Sequence, residues 1–474
     1  MWIGNKSVAG LAGKTFDVRD PATGTLLATL PRGNRDDVRA AVDAADKALS
    51  GWAARTPRER ARVLDKAAAL IRERTPALAQ GLTAEQGKPL AEAKDEVRGT
   101  ANVFEYYAGI ASHVTDEYRQ LGGGLEAYIL RQQIGVTGAI IPWNMPALIF
   151  GWKTGAALLA GNTLVLKPAS AAPLTPLALA GILGEASLPP GVLNIVTGTG
   201  EEAGEALVRE PRVRKISFTG ALATGRRIYS LAAGDIKRVT LELGGSDAMI
   251  VCADADLGRA VAGAVTNRYY NCGQVCTAVK RLFVHEAIAP EFLSRLGAAV
   301  GALRVGSGTV PGVKMGPLSS ATGRDQIAGL VDETIRREEG HVLVGGSAPE
   351  GEAFADGHFF APTVVTDVAP GSRLLREEVF GPVLPVVTFS SLDEAIALAN
   401  DTPYGLGASV WTCNPVAARE AATRLETGIV WVNLHLKVPP EVPFGGIKQS
   451  GLGRENGLQA LDAWSEEKTV LIRS

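Results

Sequence analysis

Two cysteines stand four positions apart in the stretch NCGQVCTAVKR, which runs from Asn271 to Arg281. A cysteine can bind a metal, form a disulfide, join a redox pair or act as a nucleophile, and the spacing alone does not decide among these roles. A zinc site needs a second pair of ligands, but the five histidines of the chain are scattered. A redox pair normally has two intervening residues, whereas Cys272 and Cys276 have three between them. No metal site is therefore predicted.

Cys276 has the surroundings of a reactive thiol. The residues around it, from Gly273 to Thr277, predict a small, polar and exposed turn after a helix, where a thiol can react. Cys252 and Cys413 are instead predicted to be buried structural thiols, because a free cysteine ordinarily behaves as a small buried hydrophobe. No base accompanies Cys276 in this stretch, so any base must come from elsewhere in the chain.

Two glycine-rich stretches follow apolar runs and could bind phosphate groups. VTGTGEEAG contains Gly200 and Gly204, and SFTGALATGRR contains Gly220 and Gly225. Free N–H groups where a strand turns into a helix attract anions. The first stretch misses the dinucleotide fingerprint by one residue, and the second has Arg226 where a P-loop requires lysine. Each stretch alone is more typical of ordinary turns, but together on one βαβ array they favour a dinucleotide over a nucleoside triphosphate.

The elements that must position these residues follow from the hydrophobic spacing. Residues 35–110 have apolar side chains at helical intervals with charges between them, which predicts helices. From about residue 134, apolar runs such as GVTGAII, NTLVLK and KISFTG alternate with helical stretches, as in βαβ units with buried parallel strands. A second alternating region extends from DAMIVC to about residue 430. The chain is therefore expected to contain two doubly wound α/β units.

Composition narrows the class of protein. A chain of 474 residues exceeds what one core usually supports, so two or three domains are expected. Hydrophobic residues make up 46% and the net charge is −2, which gives no electrostatic case for nucleic acid or an anionic membrane surface. We see no secretory signal and no apolar run long enough for a membrane span. Four cysteines are too few for a disulfide scaffold, so a cytoplasmic protein is expected.

Seven stretches occur in the order found in the NAD(P)-dependent aldehyde dehydrogenases, and they are IIPWNMP (140–146), LVLKPAS (164–170), SFTGALATG (217–225), LELGG (241–245), GQVCTA (273–278), EEVFGPV (377–383) and PFGGIKQSGLGRE (443–455). The chain resembles this family over essentially its whole length. The resemblance implies an α/β fold with two Rossmann-like domains and a small β hairpin for oligomerisation. The implied boundaries are 1–114 and 134–244 for the NAD(P)-binding domain, 245–449 for the catalytic domain, 115–133 and 465–474 for the oligomerisation segment, and 450–464 for a return to the cofactor domain.

The resemblance also implies a hydrolytic mechanism. Cys276 would attack the aldehyde carbon as the nucleophile. The side-chain amide of Asn144 and the Cys276 N–H would donate to the developing oxyanion. Glu242 would act as general base on the water that hydrolyses the thioester. Glu455 matches a glutamate of a proton relay, although an exposed salt-bridging side chain is an equally good interpretation, and Cys272 matches no catalytic position.

For the cofactor, the resemblance implies NAD or NADP. Lys167 matches the lysine that binds the adenosine ribose, and Glu378 matches the ligand of the nicotinamide ribose. NAD-preferring members commonly carry an acid where this chain has Ser170, so we expect both cofactors to be used. The serine that contacts the pyrophosphate in the family is Ala221 here. The other implied cofactor residues line the nucleotide pocket, and they are Trp143, Gly200, Gly204, Gly220, Gly225, Leu243 and Phe380.

The substrate tunnel implied by the motif register is apolar and aromatic, with a lining of Met145, Leu148, Trp152, Tyr270, Val438 and Phe444. No arginine falls at these positions to pair with a substrate carboxylate, which favours an aromatic or medium-chain aliphatic aldehyde over the semialdehyde of a dicarboxylic acid. The other interpretations are an enzyme that transfers the acyl group to coenzyme A, a cysteine esterase without a cofactor, and a binding protein that has lost catalysis. Coenzyme A-dependent members typically lack the glutamate at position 242. A homodimer or homotetramer is the expected assembly.

Overall fold

The computed structural model describes residues 1–473. Its helices α1 to α15 are Arg35–Ala53, Pro57–Glu73, Thr75–Gln86, Leu90–Gly109, Pro146–Leu159, Leu174–Glu185, Glu205–Arg209, Leu222–Ala233, Leu257–Tyr269, Ala289–Gly301, Ala321–Arg336, Arg373–Arg376, Leu392–Asn400, Pro415–Arg424 and Gln459–Ala463. Its strands β1 to β20 are Trp2–Ile3, Lys6–Ser7, Thr15–Arg19, Leu26–Pro31, Glu117–Gly122, Leu125–Gln133, Val136–Ile141, Thr163–Pro168, Leu193–Ile195, Lys215–Thr219, Arg238–Glu242, Asp247–Val251, Val279–His285, His341–Val344, Thr363–Thr366, Val383–Phe389, Gly407–Trp411, Ile429–Val432, Gly451–Leu452 and Ser465–Arg473.

The first sheet has eight strands in the order β19-β11-β10-β7-β8-β9-β1-β2. The five strands from β11 to β9 are parallel, and every residue of β7 and β8 is buried. Burial on both faces explains why these strands appear in the sequence as predominantly apolar runs without alternation. Strands β8 and β9 lie on one side of β7 in the sheet, whereas the next strands along the chain, β10 and β11, lie on its other side. The strand order therefore reverses between β7 and β10, and open α/β sheets bind ligands at such a point.

The second sheet has seven strands in the order β14-β15-β16-β13-β12-β17-β18. Its strands are parallel except for β14, which pairs antiparallel with β15 at the edge. Both sheets connect parallel strands through helices, which confirms the predicted α/β class with two Rossmann-like units. The domain boundaries given above remain a prediction.

A third sheet of three strands, in the order β20-β6-β5, combines the predicted hairpin with the last strand. β20 pairs antiparallel with β6 in continuous register from Ser465 opposite Gln133 to Arg473 opposite Leu125. Ion pairs from Glu466 to Arg214 and Arg238 connect β20 to the first sheet. The hairpin and the carboxy-terminal strand are thus one small sheet on the side of the first unit.

Helix α5 determines where the first half of the site lies. It is buried on nearly all sides because it packs against the first sheet and against α4. At Gly155 a Cβ atom would lie 2.5 Å from the Tyr107 ring, so glycine permits the close approach of α4 and α5. A helix enclosed in this way has little freedom to move, and the residues just before it, Asn144 and Met145, are held with it.

Candidate active site

A cavity of about 250 Å³ opens at the point where the strand order of the first sheet reverses. One wall is made by the turns that follow β7, β10 and β11, and the other by the loops that precede β13 and β16. The carboxyl ends of the first sheet therefore face the amino ends of the second. The lining residues are Pro142, Trp143, Asn144, Met145, Ile149, Thr219, Gly220, Ala221, Leu243, Gly244, Cys276, Glu378 and Phe380.

The structure places Cys272 and Cys276 in different surroundings. Cys276 is partly exposed and lines the cavity. Cys272 is 1% exposed, and burial raises the pKa of its thiol far above the usual range. The backbone at Asn271, Cys272 and Gly273 has positive φ angles of 51°, 57° and 72°. This left-handed turn directs Cys272 into the core of the second unit and places Cys276 at the cavity, so only Cys276 can meet a ligand there.

Two expectations about the cysteines were wrong. Apart from Cys276, the turn from Gly273 to Thr277 is buried, and its polar groups bond to the protein. The Gln274 side chain donates to Asn271 O at 2.9 Å and accepts from Ser319 N at 2.9 Å. Cys413 is exposed, since it follows β17 in a surface loop that is held by Asp254.

Asn144 has a free amide hydrogen at the cavity, as the predicted role of oxyanion donor requires. Its side-chain amide donates to Gln274 O at 2.9 Å, which leaves the second amide hydrogen free. Within residues 1–473, no carbonyl or side chain accepts a hydrogen bond from the Cys276 N–H. Asn144 and Cys276 both line the cavity, so two unused donors are available beside the thiol. Such preorganised donors stabilise negative charge that develops on a bound carbonyl oxygen.

A buried ion pair that the sequence reasoning missed holds Asn144 in place. The Lys88 ammonium donates to Asn144 O at 2.7 Å and to Glu96 at 2.5 Å. Glu96 in turn accepts from the N–H groups of Ala147 and Leu148, at the start of α5. The available signal was the position of Glu96 on the apolar face of α4, beside Ala93, Val97 and Thr100. A charge on such a face requires a buried partner.

Glu242 ends β11 as a buried carboxyl group whose two oxygens have no hydrogen-bond partner in the described part of the chain. Burial raises the pKa of Glu242 well above its ordinary value, and the negative charge of the nearby Glu455 raises it further. The carboxyl group lies against Gly445, where a Cβ atom would stand 2.7 Å from Glu242 Oε1. It is not among the residues that line the cavity, although its charge acts on Cys276.

Glu455 is fully buried, which excludes the exposed salt-bridging interpretation. Its carboxylate accepts from Lys153 Nζ at 2.7 Å and from Ser217 Oγ at 2.9 Å, and Lys153 also donates to Ser217 at 2.8 Å. The sequence reasoning missed Lys153 and Ser217. A lysine in the middle of the otherwise apolar helix α5 was the signal that could have found this network.

The residues predicted to bind the adenosine half form a second group beyond the cavity. Lys167 is buried and donates to one acceptor, Pro168 O at 2.9 Å, so two ammonium hydrogens remain for a ligand. Burial lowers the pKa of Lys167 to about 8. Ser170 donates to Gly198 O at 2.8 Å, so its hydroxyl can accept a further hydrogen bond without breaking this contact. Gly204 lies beside Lys167, and a Cβ atom there would be 3.7 Å from Lys167 Cδ.

Two of the glycines predicted to line the nucleotide pocket lie where side chains would not fit. A Cβ atom at Gly225 would stand 2.4 Å from Leu243, and one at Gly220 would stand 2.5 Å from the Phe218 ring. Helix α8 begins just after Ala221, and this residue supplies no side-chain cap. The first N–H groups of the helix are therefore free to bind an anion. Gly200 opens a single π-helical turn before α7.

Glu378 and Phe380 lie on the wall that precedes β16, and Trp143 contacts Phe380 from the turn after β7. Glu378 accepts from Gly245 N at 3.2 Å and from Lys280 Nζ at 2.9 Å. The rings of Trp143 and Phe380 meet edge to face, with centroids 5.7 Å apart. The cavity thus has one carboxylate held by two hydrogen bonds and one pair of aromatic rings in contact.

The residues predicted for the substrate tunnel are only partly brought together. Trp152 and Phe444 are in contact, with ring centroids 5.2 Å apart, and both belong to the apolar cluster against which Cys276 packs. Met145, Leu148 and Val438 pack against the same cluster. Tyr270 is not part of that cluster, and its hydroxyl lies 3.4 Å from Glu92 O.

A parallel sheet with a cleft at its switch point is typical of the dinucleotide-binding α/β class, and this cleft contains a partly exposed cysteine beside two unused amide donors. Residues 8–470 match the aldehyde dehydrogenase family, and the chain belongs to this family. It is accordingly an NAD(P)-dependent aldehyde dehydrogenase.

Solved structures agree closely with this assignment. The chain is 41% identical to a putative aldehyde dehydrogenase from Burkholderia cenocepacia, with a TM-score of 0.98 over 100% of this chain and 96% of that chain. PnpE from Pseudomonas sp. WBC-3 is 41% identical, with a TM-score of 0.98 over 100% of this chain and 97% of its own. An E. coli NADP dependent enzyme is 38% identical, with a TM-score of 0.97 over 100% and 98% of the two chains. Among residues 1–473, no helix combines the length and apolarity that a membrane span needs.

Proposed function

We propose that the chain oxidises an aldehyde to the carboxylic acid through a covalent intermediate on Cys276, which is then hydrolysed. The observation that carries this proposal is that Cys276 and Asn144 line one cavity at the switch point, with two unused N–H donors beside the thiol. The thiol sulfur would attack the aldehyde carbon, and the two donors would stabilise the oxyanion of the resulting thiohemiacetal. After oxidation to the thioester, water would release the acid and free Cys276 for another cycle.

The residues present fit NAD or NADP. Lys167 has two free ammonium hydrogens for ribose oxygens, and the first N–H groups of α8 are free for the pyrophosphate. At Gly244 a Cβ atom would stand 2.0 Å from Glu378 Oε2, so glycine at this position leaves room for the carboxylate that we assign to the nicotinamide ribose. A bound nicotinamide would supply the hydride acceptor that oxidation of the covalent intermediate requires. A crystal structure of PnpE contains nicotinamide adenine dinucleotide, which supports the same cofactor class here.

The Cys276 thiol needs a base. Burial raises its pKa to about 12, so the thiol is protonated at neutral pH and must lose its proton as it attacks. Glu242 is the carboxyl group that we assign to the later step, in which it activates the water that hydrolyses the thioester. Its raised pKa makes the ionised form a stronger proton acceptor. The Lys153–Glu455 pair is buried beside it and could pass the proton on, in accord with the relay role assigned to Glu455.

The substrate class that the lining supports is an aromatic or medium-chain aliphatic aldehyde. The clustered tunnel residues are apolar, and burial of a hydrocarbon tail contributes about 25 cal/mol per Å². We expect kcat/KM for hexanal or benzaldehyde to exceed that for succinic semialdehyde by about tenfold or more, measured from cofactor reduction at 340 nm. A higher value for succinic semialdehyde would reject the assigned substrate class. Absence of reduction with every aldehyde and both cofactors would reject the proposed reaction.

Cofactor choice depends on Ser170 in this proposal. A carboxylate at this position would repel a 2′-phosphate by about 1 kcal/mol in water and about 4 kcal/mol at an effective dielectric of 20, for charges about 4 Å apart. Ser170 carries no charge, so both cofactors should be accepted. We expect Ser170→Glu to raise KM for NADP⁺ about tenfold or more while changing KM for NAD⁺ little. A wild-type enzyme that already rejects NADP⁺ a thousandfold would contradict this role.

The assembly we propose is a homodimer or homotetramer formed through the β20-β6-β5 sheet. Tyr118, Leu121, Leu471 and Ile472 are exposed on its two edge strands, and open apolar edges invite pairing with another chain. Light scattering at micromolar concentration should therefore give at least twice the mass of one chain, and a stable monomer would refute the proposal. The four cysteines are free thiols, which supports a reducing compartment such as the cytoplasm.

A further inference from the structure

Lys280 is a buried lysine that contacts the main chain of Cys276, the proposed nucleophile. It is the second residue of β13 and stands four positions after Cys276. Its ammonium donates to Cys276 O at 2.5 Å and to Glu378 Oε1 at 2.9 Å. The same ammonium lies 5.6 Å from the centroid of the Phe380 ring. One cation therefore contacts the main chain of the nucleophile, the carboxylate on the cofactor rim and the adjacent aromatic ring.

We propose that Lys280 is a positioning residue that couples the nucleophile to the cofactor site by holding Cys276 and Glu378 in fixed relative positions. The inference rests on the proposed function, because that function assigns the roles of Cys276 and Glu378. Lys280 touches neither the thiol sulfur nor the cavity, so its effect is exerted through these two residues.

The charge of Lys280 matters as well as its hydrogen bonds. The charged groups that face the Cys276 thiol are Lys280 and the carboxyl groups of Asp247, Glu378 and Glu242. Each carboxylate opposes ionisation of the thiol, whereas Lys280 favours it. Asp247 is fully buried, and burial raises its pKa to about 8, so this group adds little negative charge at neutral pH. Lys280 is thus the cation that offsets the carboxylates around the nucleophile.

A purely structural lysine would have different consequences. Lys237 offers the comparison, because it is also buried and donates to two main-chain oxygens, Glu210 O and Val213 O, at 2.7 Å each. These partners lie outside the cavity. Loss of Lys237 should lower stability without changing the thiol or cofactor binding. Loss of Lys280 should change both, because its partners are the thiol loop and the rim carboxylate.

The test uses the full-length protein with Lys280→Gln, and with Lys237→Gln as the matched buried control. The first measurement is the pH profile of Cys276 alkylation by iodoacetamide without cofactor, followed on the Cys276 peptide by mass spectrometry. The second is the dissociation constant of NAD⁺, from tryptophan fluorescence. Loss of the cation should raise the thiol pKa by about one unit, which is a tenfold slower alkylation at a fixed pH below the pKa. We also expect NAD⁺ to bind about tenfold more weakly, because Glu378 loses its partner.

Both changes in Lys280→Gln, with wild-type values in Lys237→Gln, would support the proposal. An unchanged pH profile and an unchanged NAD⁺ affinity in Lys280→Gln would overturn it, as would equal changes in Lys237→Gln. If Lys280→Gln does not fold, Lys280→Met carries the same test, because methionine fills a similar volume without charge. These readouts need no turnover. If the wild type oxidises aldehydes while the Lys280 variants match it in both measurements, this inference alone fails; if Cys276→Ala keeps full turnover, the proposed function fails.

Discussion

Cys276→Ala abolishes aldehyde-dependent reduction of NAD⁺ or NADP⁺. Removal of the nucleophile from a covalent mechanism should lower kcat by a factor on the order of 10⁴ or more, because the remaining groups cannot replace the covalent step. The dissociation constant of the cofactor should change little, since the assigned cofactor contacts are made by other residues such as Lys167 and Glu378. Cofactor reduction at 340 nm measures the first quantity and tryptophan fluorescence the second.

Cys272→Ala is the matched control for this experiment. Cys272 lies four positions before Cys276 but is buried away from the cavity, so its loss should spare turnover and cost only some stability. Iodoacetamide should modify Cys276 before Cys272 for the same reason. Turnover that survives Cys276→Ala but is lost in Cys272→Ala would show that the two roles have been assigned the wrong way round.

Glu242→Gln should leave acylation measurable but make release of the acid slow. Glutamine has nearly the shape of glutamate but cannot accept the proton of the hydrolytic water, so steady-state kcat should fall by about 10²- to 10⁴-fold. A thioester on Cys276 should then accumulate, and intact-protein mass spectrometry would detect the added acyl mass. Rapid-mixing experiments should show a burst of cofactor reduction followed by a slow phase.

The pH dependence gives an independent check on Glu242. Its pKa is raised by burial and only the ionised form accepts a proton, so the rate of acid release should increase as the pH rises through this pKa. Glu242→Gln should remove that increase. Glu210→Gln is a suitable control, because Glu210 is a mostly buried carboxyl group that pairs with Arg212 rather than with the site. Full steady-state turnover by Glu242→Gln would exclude Glu242 as the base.

Several features of this protein could be predicted from local sequence alone. The runs that became β7, β8 and β10 predict buried parallel strands, because most of their side chains are apolar or small. The glycines after these strands were recognised because a tight strand-to-helix turn needs a small residue. The ordered motifs, with Cys276 among them, were sufficient to identify the family, and the family match over residues 8–470 confirms it.

Tertiary structure alone decided which charges meet and which groups lose contact with water. Lys153 and Glu455 are 302 residues apart, and Lys280 and Glu378 are 98 apart, so no local pattern could pair them. The burial of the Gly273–Thr277 turn likewise depends on distant groups such as Ser319, which complete its hydrogen bonds. A buried charge is stable only beside a partner. The tertiary fold brings these partners together, and it thereby sets the electrostatic surroundings of Cys276 and Glu242.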